Sequence, residues 1–309
     1  MLEKEYRKYG KIKFKWFYFR RALRILPLYF LVTGAAALFA IFANKEDALL
    51  ILIGYWTFTT NLLMGFADGT WNFPYFNHLW SIPYEEQVYL VLPLLILWIL
   101  RVRNIHFISC ALVLIVAIGL GTRAVAIDSG IMKSLGVYLV PLFRPESIIC
   151  GLICGQIWSR GLANKVNPNI YGVLFFLGLL ALWLYTRLYG FDHFHPKYSM
   201  SVYLILSLLF SSLLLWVLAP NTLGNLVFSI KPLPWLGKIS YGLYVWHLIA
   251  KVAAYLYIIV PFDLPRSYEF RFIFYLSSTI AISCASYYLF ERWFLLLKDK
   301  FQVIQNRDS

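Results

Sequence analysis

Four side chains combine ionisable chemistry with an apolar setting: His78, Glu85, Arg144 and His247. In HLWSIPYEEQVYLVLP, His78, Ser81 and Glu85 are spaced three and then four residues apart. They share one face if the helix begins by His78. Pro83 allows that only near the first turn, where its missing N–H costs nothing. In LGKISYGLYVWHLIAK, residues 236–251, His247 lies midway along an apolar run with Ser240 and Tyr244 on its face. His78 or Glu85 could take a proton from a hydroxyl. Each residue also has a plain reading. An interfacial His beside Trp80 is more often an anchor than a catalyst. Glu85 and Arg144 could be a buried ion pair that only fixes packing. His247 could simply hydrogen-bond a neighbouring helix.

A fifth feature is FYFRRALRILPLYF, residues 17–30, with Arg20, Arg21 and Arg24 at the mouth of an apolar run. Arg20 and Arg24 are four apart, and such a pair suits a phosphate gripped bidentately. By composition alone, an ordinary positive cluster at the cytoplasmic end of a span is the stronger reading.

The elements that must position these groups follow from composition. The 309-residue chain is 61% hydrophobic, 19% aromatic and only 14% charged. Soluble domains need only about half apolar residues. Nine apolar segments recur, at roughly 25–43, 48–65, 79–100, 106–127, 134–158, 170–187, 200–219, 236–260 and 270–291. The expectation is an all-α, polytopic transmembrane bundle of about 8–9 membrane segments, forming a single domain over 1–309. The net charge of +13 is not a nucleic-acid signature here, because nine of the 28 basic residues precede Ile25, against two acids. That cluster suits anionic lipid headgroups or an anionic substrate at a cytoplasmic face. Cys110, Cys150, Cys154 and Cys284 lie in apolar stretches without metal-ligand spacing and read as small buried residues.

Lys and Arg placement puts the N-terminus inside, together with loops 101–104, 159–165 and 229–238 and the tail from Arg292. All fit only if residues 44–78 stay largely outside, with 48–65 dipping in and returning. At about 1.5 Å per residue, Glu85 lies about 10 Å deep, and Arg144 and His247 roughly 15 Å deep. The expectation is one polar chamber shared by three spans.

These stretches also carry a resemblance. FYFRRALRILPLY, HLWSIPYEEQVYLVLP, VYLVPLFRPESIICGLICG, ISYGLYVWH and SASYYLFERWF occur in the order shown by acyltransferase family 3. Its RRxxRIxPxY element falls on Arg20, Arg21, Arg24, Ile25, Pro27 and Tyr29. Its HxWSLxxEEQFY element falls on His78, Trp80, Ser81, Glu85, Glu86, Gln87 and Tyr89, with Ile82 and Val88 as departures. Arg144 with Gly151, and Ile239 to His247, match two further elements. The family's final Glu-Arg-Pro is here Glu291-Arg292-Trp293.

The resemblance implies an integral membrane O-acyltransferase of the bacterial inner membrane. It would move an acyl group, commonly acetyl, from acetyl-CoA or another acyl-CoA to a hydroxyl of an envelope carbohydrate or glycolipid, without a metal. It implies Glu85, His78, Arg144 and His247 as catalytic candidates, and Arg20, Arg21 and Arg24 as donor-binding ones. The family usually carries two more spans ahead of the FYxRR element, the first bearing the His usually given the catalytic part. Because Met1 stands just before that element, the expectation is a start placed too late or a truncated form, ahead of an active short form. An inactive relic and a glycolipid transporter or flippase are the alternatives; acetyl-CoA dependence separates the enzyme from the flippase, and an in-frame upstream extension encoding two apolar spans and a His separates it from the relic. In a form with the two further spans, Glu85→Gln should abolish transfer while membrane insertion persists; normal acetylation by that variant would remove Glu85 from the site.

Overall fold

A computed structural model describes residues 2–42, 48–66, 76–102, 104–132, 134–190, 196–265 and 267–301. Of the expected outer segment 44–78, residues 44–47 and 67–75 lie outside the described residues. So do Arg103 of the 101–104 loop and the tail after Phe301.

Every regular element among the described residues is helical. In chain order they are α1 Leu2–Tyr9, α2 Phe14–Phe42, α3 Ala48–Trp56, α4 Thr60–Phe66, α5 Ser81–Arg101, α6 Ile105–Asp128 and α7 Ser134–Leu139. There follow α8 Glu146–Ser159, α9 Asn169–Tyr189, α10 Pro196–Leu218, α11 Leu223–Phe228, α12 Pro232–Ala254, α13 Tyr268–Ser286 and α14 Arg292–Asp299. Short 3₁₀ turns run Asn77–Trp80 and Pro141–Phe143, and π turns Tyr255–Ile259 and Tyr287–Glu291. Helices satisfy their own backbone groups, which apolar runs in lipid require. Side-chain caps mark the starts of α6 and α13, where Asn104 accepts from the Phe107 N–H at 3.1 Å and Ser267 from the Phe270 N–H at 3.3 Å.

Seven helical stretches among the described residues are long and apolar enough to cross a membrane: Phe14–Phe42, Asn77–Arg101, His106–Asp128, Asn169–Tyr189, Ser201–Leu218, Pro232–Ile259 and Tyr268–Lys298. The all-α polytopic architecture is therefore as the sequence indicates. Leu174, Leu177 and Leu184 on α9 and Leu90 and Leu94 on α5 stay exposed, as lipid-facing residues do.

Two expected segments differ from single helices. The stretch 48–65 is divided into α3 and α4 by a turn at Phe58, whose φ of 56° is left-handed. The stretch 134–158, expected as one span, is broken between α7 and α8. Pro141 and Pro145 bracket the break, and proline cannot donate to a helical ladder. Arg144 caps the 3₁₀ turn at φ −137°, ψ 53°. A depth for Arg144 counted along an unbroken helix therefore does not apply.

The chain divides into two compact units. The first comprises residues 1–60, 72–83 and 235–309. Here α2 packs against α3 and α14. Arg20, near the start of α2, is buried and donates to the Phe301 carbonyl at 3.1 Å, and it lies 4.0 Å from the buried Glu5 carboxylate. Glu5 also accepts from the Lys13 N–H at 2.7 Å, which fixes the entry into α2.

The second unit comprises residues 61–71 and 84–234, with α10 packed against α8, α9 and α11. Two of its close contacts are at Trp216. A Cβ on Gly172 of α9 would stand 2.7 Å from the Trp216 ring, and so would one on Gly224 of α11. Two bare backbones thus close on the indole, beside Cys154, Tyr171 and Leu215. Gly172→Ala or Gly224→Ala should destabilise the chain by about 1–3 kcal/mol through overpacking. Thermal unfolding in detergent should show it, whereas Gly155→Ala, with open space at its Cβ, should leave the midpoint unchanged or raised.

Candidate functional site

Each unit holds a polar cluster. In the first unit the cluster is built on the 3₁₀ turn Asn77–Trp80, whose carbonyls do not all find helical partners. Tyr55 Oη donates to the Phe76 carbonyl at 3.0 Å, and Tyr29 Oη donates to the Tyr55 carbonyl at 2.8 Å. Tyr29 and Tyr55 are both fully buried. From α12, Tyr244 Oη donates to the His78 carbonyl and accepts from Ser81 Oγ at 2.6 Å. Tyr241 Oη reaches the Ile25 carbonyl at 2.8 Å. The arginine-rich element, the HLWS element and the ISYGLYVWH element are thus tied together by tyrosine hydroxyls on backbone oxygens.

The same contacts orient two imidazoles. His78 Nε2 lies 3.1 Å from the Val245 carbonyl, and His247 Nδ1 lies 2.6 Å from the Tyr244 carbonyl. A carbonyl oxygen only accepts, so His78 carries its proton on Nε2 and His247 on Nδ1. In the neutral rings the lone pairs are then on His78 Nδ1 and His247 Nε2. His78 Nδ1 is buried without a hydrogen-bond partner. The rings meet edge to face, with centroids 4.7 Å apart. Two basic nitrogens of complementary tautomer in one half-buried place suit proton transfer.

Gly242 in ISYGLYVWH has a packing reason. A Cβ there would stand 3.0 Å from Glu291 Oε1 and 3.5 Å from Ser283. Glu291, in the terminal FERW, is buried and accepts from Ser286 Oγ at 2.8 Å. A fourth motif thereby packs against the helix that carries His247.

In the second unit the break between α7 and α8 is the organising feature. Arg123 of α6 and Glu146 of α8 are completely buried and meet at 2.5 Å. Arg123 also donates to the Phe143 carbonyl through Nε at 2.8 Å and through its terminal nitrogen at 2.6 Å. Arg144 donates to the Tyr138 carbonyl at 2.8 Å, and its guanidinium stacks on Tyr138 at 4.6 Å and Tyr203 at 4.3 Å. Asn61 donates to the Leu139 carbonyl at 3.1 Å and pairs reciprocally with Gln87 at 3.0 Å.

The expected site residues are distributed as follows. His78 and His247 come together. Glu85 and Arg144 belong to the second unit, where Arg144 lines a cavity that Glu85 does not, and Glu85 is exposed. Arg20 is buried and structurally engaged, Arg21 is half-buried over Phe17, and Arg24 is exposed. Among the described residues no three His, Cys, Asp or Glu side chains form a metal-binding group. The sequence reading missed the Arg123–Glu146 pair, the tyrosine ties and Asn61. The first had a visible signal: Arg123 interrupts the apolar run AIGLGTRAVAI much as Arg144 interrupts its own.

A family model described as an acyltransferase domain matches residues 6–290. Among curated proteins, the chain is 25% identical over 260 residues to the peptidoglycan O-acetyltransferase OatA of Listeria monocytogenes, covering 79% of this chain and 41% of the relative. It is 28% identical over 273 residues to the O-acetyltransferase OatA of Staphylococcus aureus NCTC 8325, covering 80% of this chain and 42% of the relative. The chain spans less than half the length of the curated relatives it matches. No solved structure matches it.

Removing one partner of a buried ion pair costs about 3–5 kcal/mol, while replacing both by apolar groups of similar size is often neutral. Glu146→Gln should therefore lower the unfolding midpoint in detergent more than the double change Arg123→Met with Glu146→Leu. An equal or smaller loss in Glu146→Gln would show that the pair is not buried as described.

Proposed function

Since the chain belongs to the acyltransferase domain family, we propose that it takes part in O-acyl transfer from acyl-CoA to a carbohydrate hydroxyl of the bacterial envelope. The observation that carries the reading is the His78–His247 pair, in which each ring commits one nitrogen to a backbone carbonyl and keeps the other basic. In the reaction, one of these lone pairs accepts the proton of the acceptor hydroxyl as its oxygen bonds to the acyl carbon. The carbon–sulfur bond of the thioester breaks, and the thiolate of CoA leaves and takes up a proton. The names of the relatives support acetyl as the group and a cell-wall polymer such as peptidoglycan as acceptor; a glycolipid offers the same hydroxyl chemistry.

Arg24, exposed on α2, is the arginine that meets the donor's phosphates, because Arg20 is tied to Phe301 and Glu5. Glu85 and Arg144 enter through the motifs they occupy. The chain lies in the inner membrane with its N-terminal basic segment on the cytoplasmic side, where the donor is found.

Membranes containing the chain should transfer label from acetyl-CoA to envelope carbohydrate. His78→Gln and His247→Gln should each slow transfer by about 10²–10⁴-fold at unchanged protein level, the usual reach of a general base. Arg24→Ala should raise the KM for acetyl-CoA with little change in kcat, and added salt should mimic it. Undiminished transfer in both histidine variants would remove the pair from the chemistry.

A further inference from the structure

Arg144 carries a charge that no acid among the described residues of the second unit neutralises. Its surroundings hold two guanidiniums, Arg123 and Arg144, over the one ring of Tyr203, at 5.3 Å and 4.3 Å. The carboxylate of Glu146 bonds to Arg123. Among the described residues Arg144 has no acidic partner within ion-pair distance, and its Nε is buried with no hydrogen-bond partner. The cluster therefore keeps one positive charge in apolar surroundings, which is costly unless an anion completes it.

Beside Arg144 is a cavity of about 350 Å³ between α8 and α10. Ser147, Ser207 and Ser211 add hydroxyls to its lining, that of Ser207 donating to the Tyr203 carbonyl at 2.7 Å. The remainder of the wall is apolar, with Leu206, Phe210 and Leu214. Phe210 is 60% and Leu214 46% exposed, so the apolar end opens on the outer surface of a helix that spans the membrane. A guanidinium recognises phosphate, and an apolar trough leading to the lipid-facing surface recognises an acyl chain. The two features together describe an amphiphile and not a free anion.

We propose that this cavity binds an anionic phospholipid, its phosphate on Arg144 and one acyl chain along Leu206, Phe210 and Leu214. The lipid completes the charge of the Arg123–Glu146–Arg144 cluster and covers the break between α7 and α8. Neither the transfer reaction nor the histidine pair is needed for this binding.

The detergent-solubilised full chain, titrated with dioctanoyl-phosphatidylglycerol, should bind it saturably, and neither dioctanoyl-phosphatidylcholine nor inorganic phosphate should compete. Arg144→Gln should weaken binding at least about tenfold, the effect of losing one charged contact. Ser147→Trp, at an exposed position beside the cavity, should do the same while leaving Arg144 bonded to Tyr138. Arg187→Gln, an exposed cation on α9, should change nothing. Wild-type affinity in both cavity variants overturns the proposal. Loss in Arg144→Gln alone puts the lipid elsewhere and overturns the cavity. Effective competition by inorganic phosphate makes it a free-anion site, and competition by the choline lipid removes the role of net charge.

Discussion

A helix crossing a bilayer bonds its own carbonyls; a break in one leaves carbonyls that no water can satisfy. The polar residues of this chain answer that constraint. At the 3₁₀ turn that opens α5, Tyr55 and Tyr244 donate to the Phe76 and His78 carbonyls. At the break between α7 and α8, Arg144, Asn61 and Arg123 donate to the carbonyls of Tyr138, Leu139 and Phe143. Side chains that look like free reactive groups in the sequence are, in the fold, donors to backbone oxygen first. What chemistry remains to them is set by the atoms those bonds leave over.

That division explains how one scaffold makes both rigid and reactive groups. Arg20 donates to the Phe301 carbonyl, and Arg123 to the Phe143 carbonyl and the Glu146 carboxylate, and both act as fixed ties. Each histidine of the pair gives one nitrogen to the backbone and keeps a second. Arg144 bonds the Tyr138 carbonyl, stacks on tyrosine, and still carries a charge that no acid answers among the described residues.

Much of this was legible in the sequence. Apolar runs of spanning length announce the helical architecture, and the motifs at 17–30, 77–89 and 236–251 hold the residues that meet in the first unit. The break at 140–145 was not read, because Leu139, Val140, Leu142 and Phe143 keep the run apolar and conceal the effect of Pro141 and Pro145. The Arg123–Glu146 pair escaped because its members are 23 residues apart, a separation that no helical period marks. Treating Arg20 and Arg24 as one phosphate grip relied on face periodicity alone. Periodicity cannot say that Glu5 and Phe301 occupy the first of them.

The central claim is that backbone carbonyls hold His78 and His247 in opposite tautomers. Solid-state ¹⁵N NMR of the histidine-labelled chain in bilayers at neutral pH reads this directly, with His78→Gln and His247→Gln samples assigning the two signals. The account predicts one neutral ring protonated at Nε2, for His78, and one protonated at Nδ1, for His247. A shared tautomer, or both rings averaging rapidly between the two forms, would contradict it.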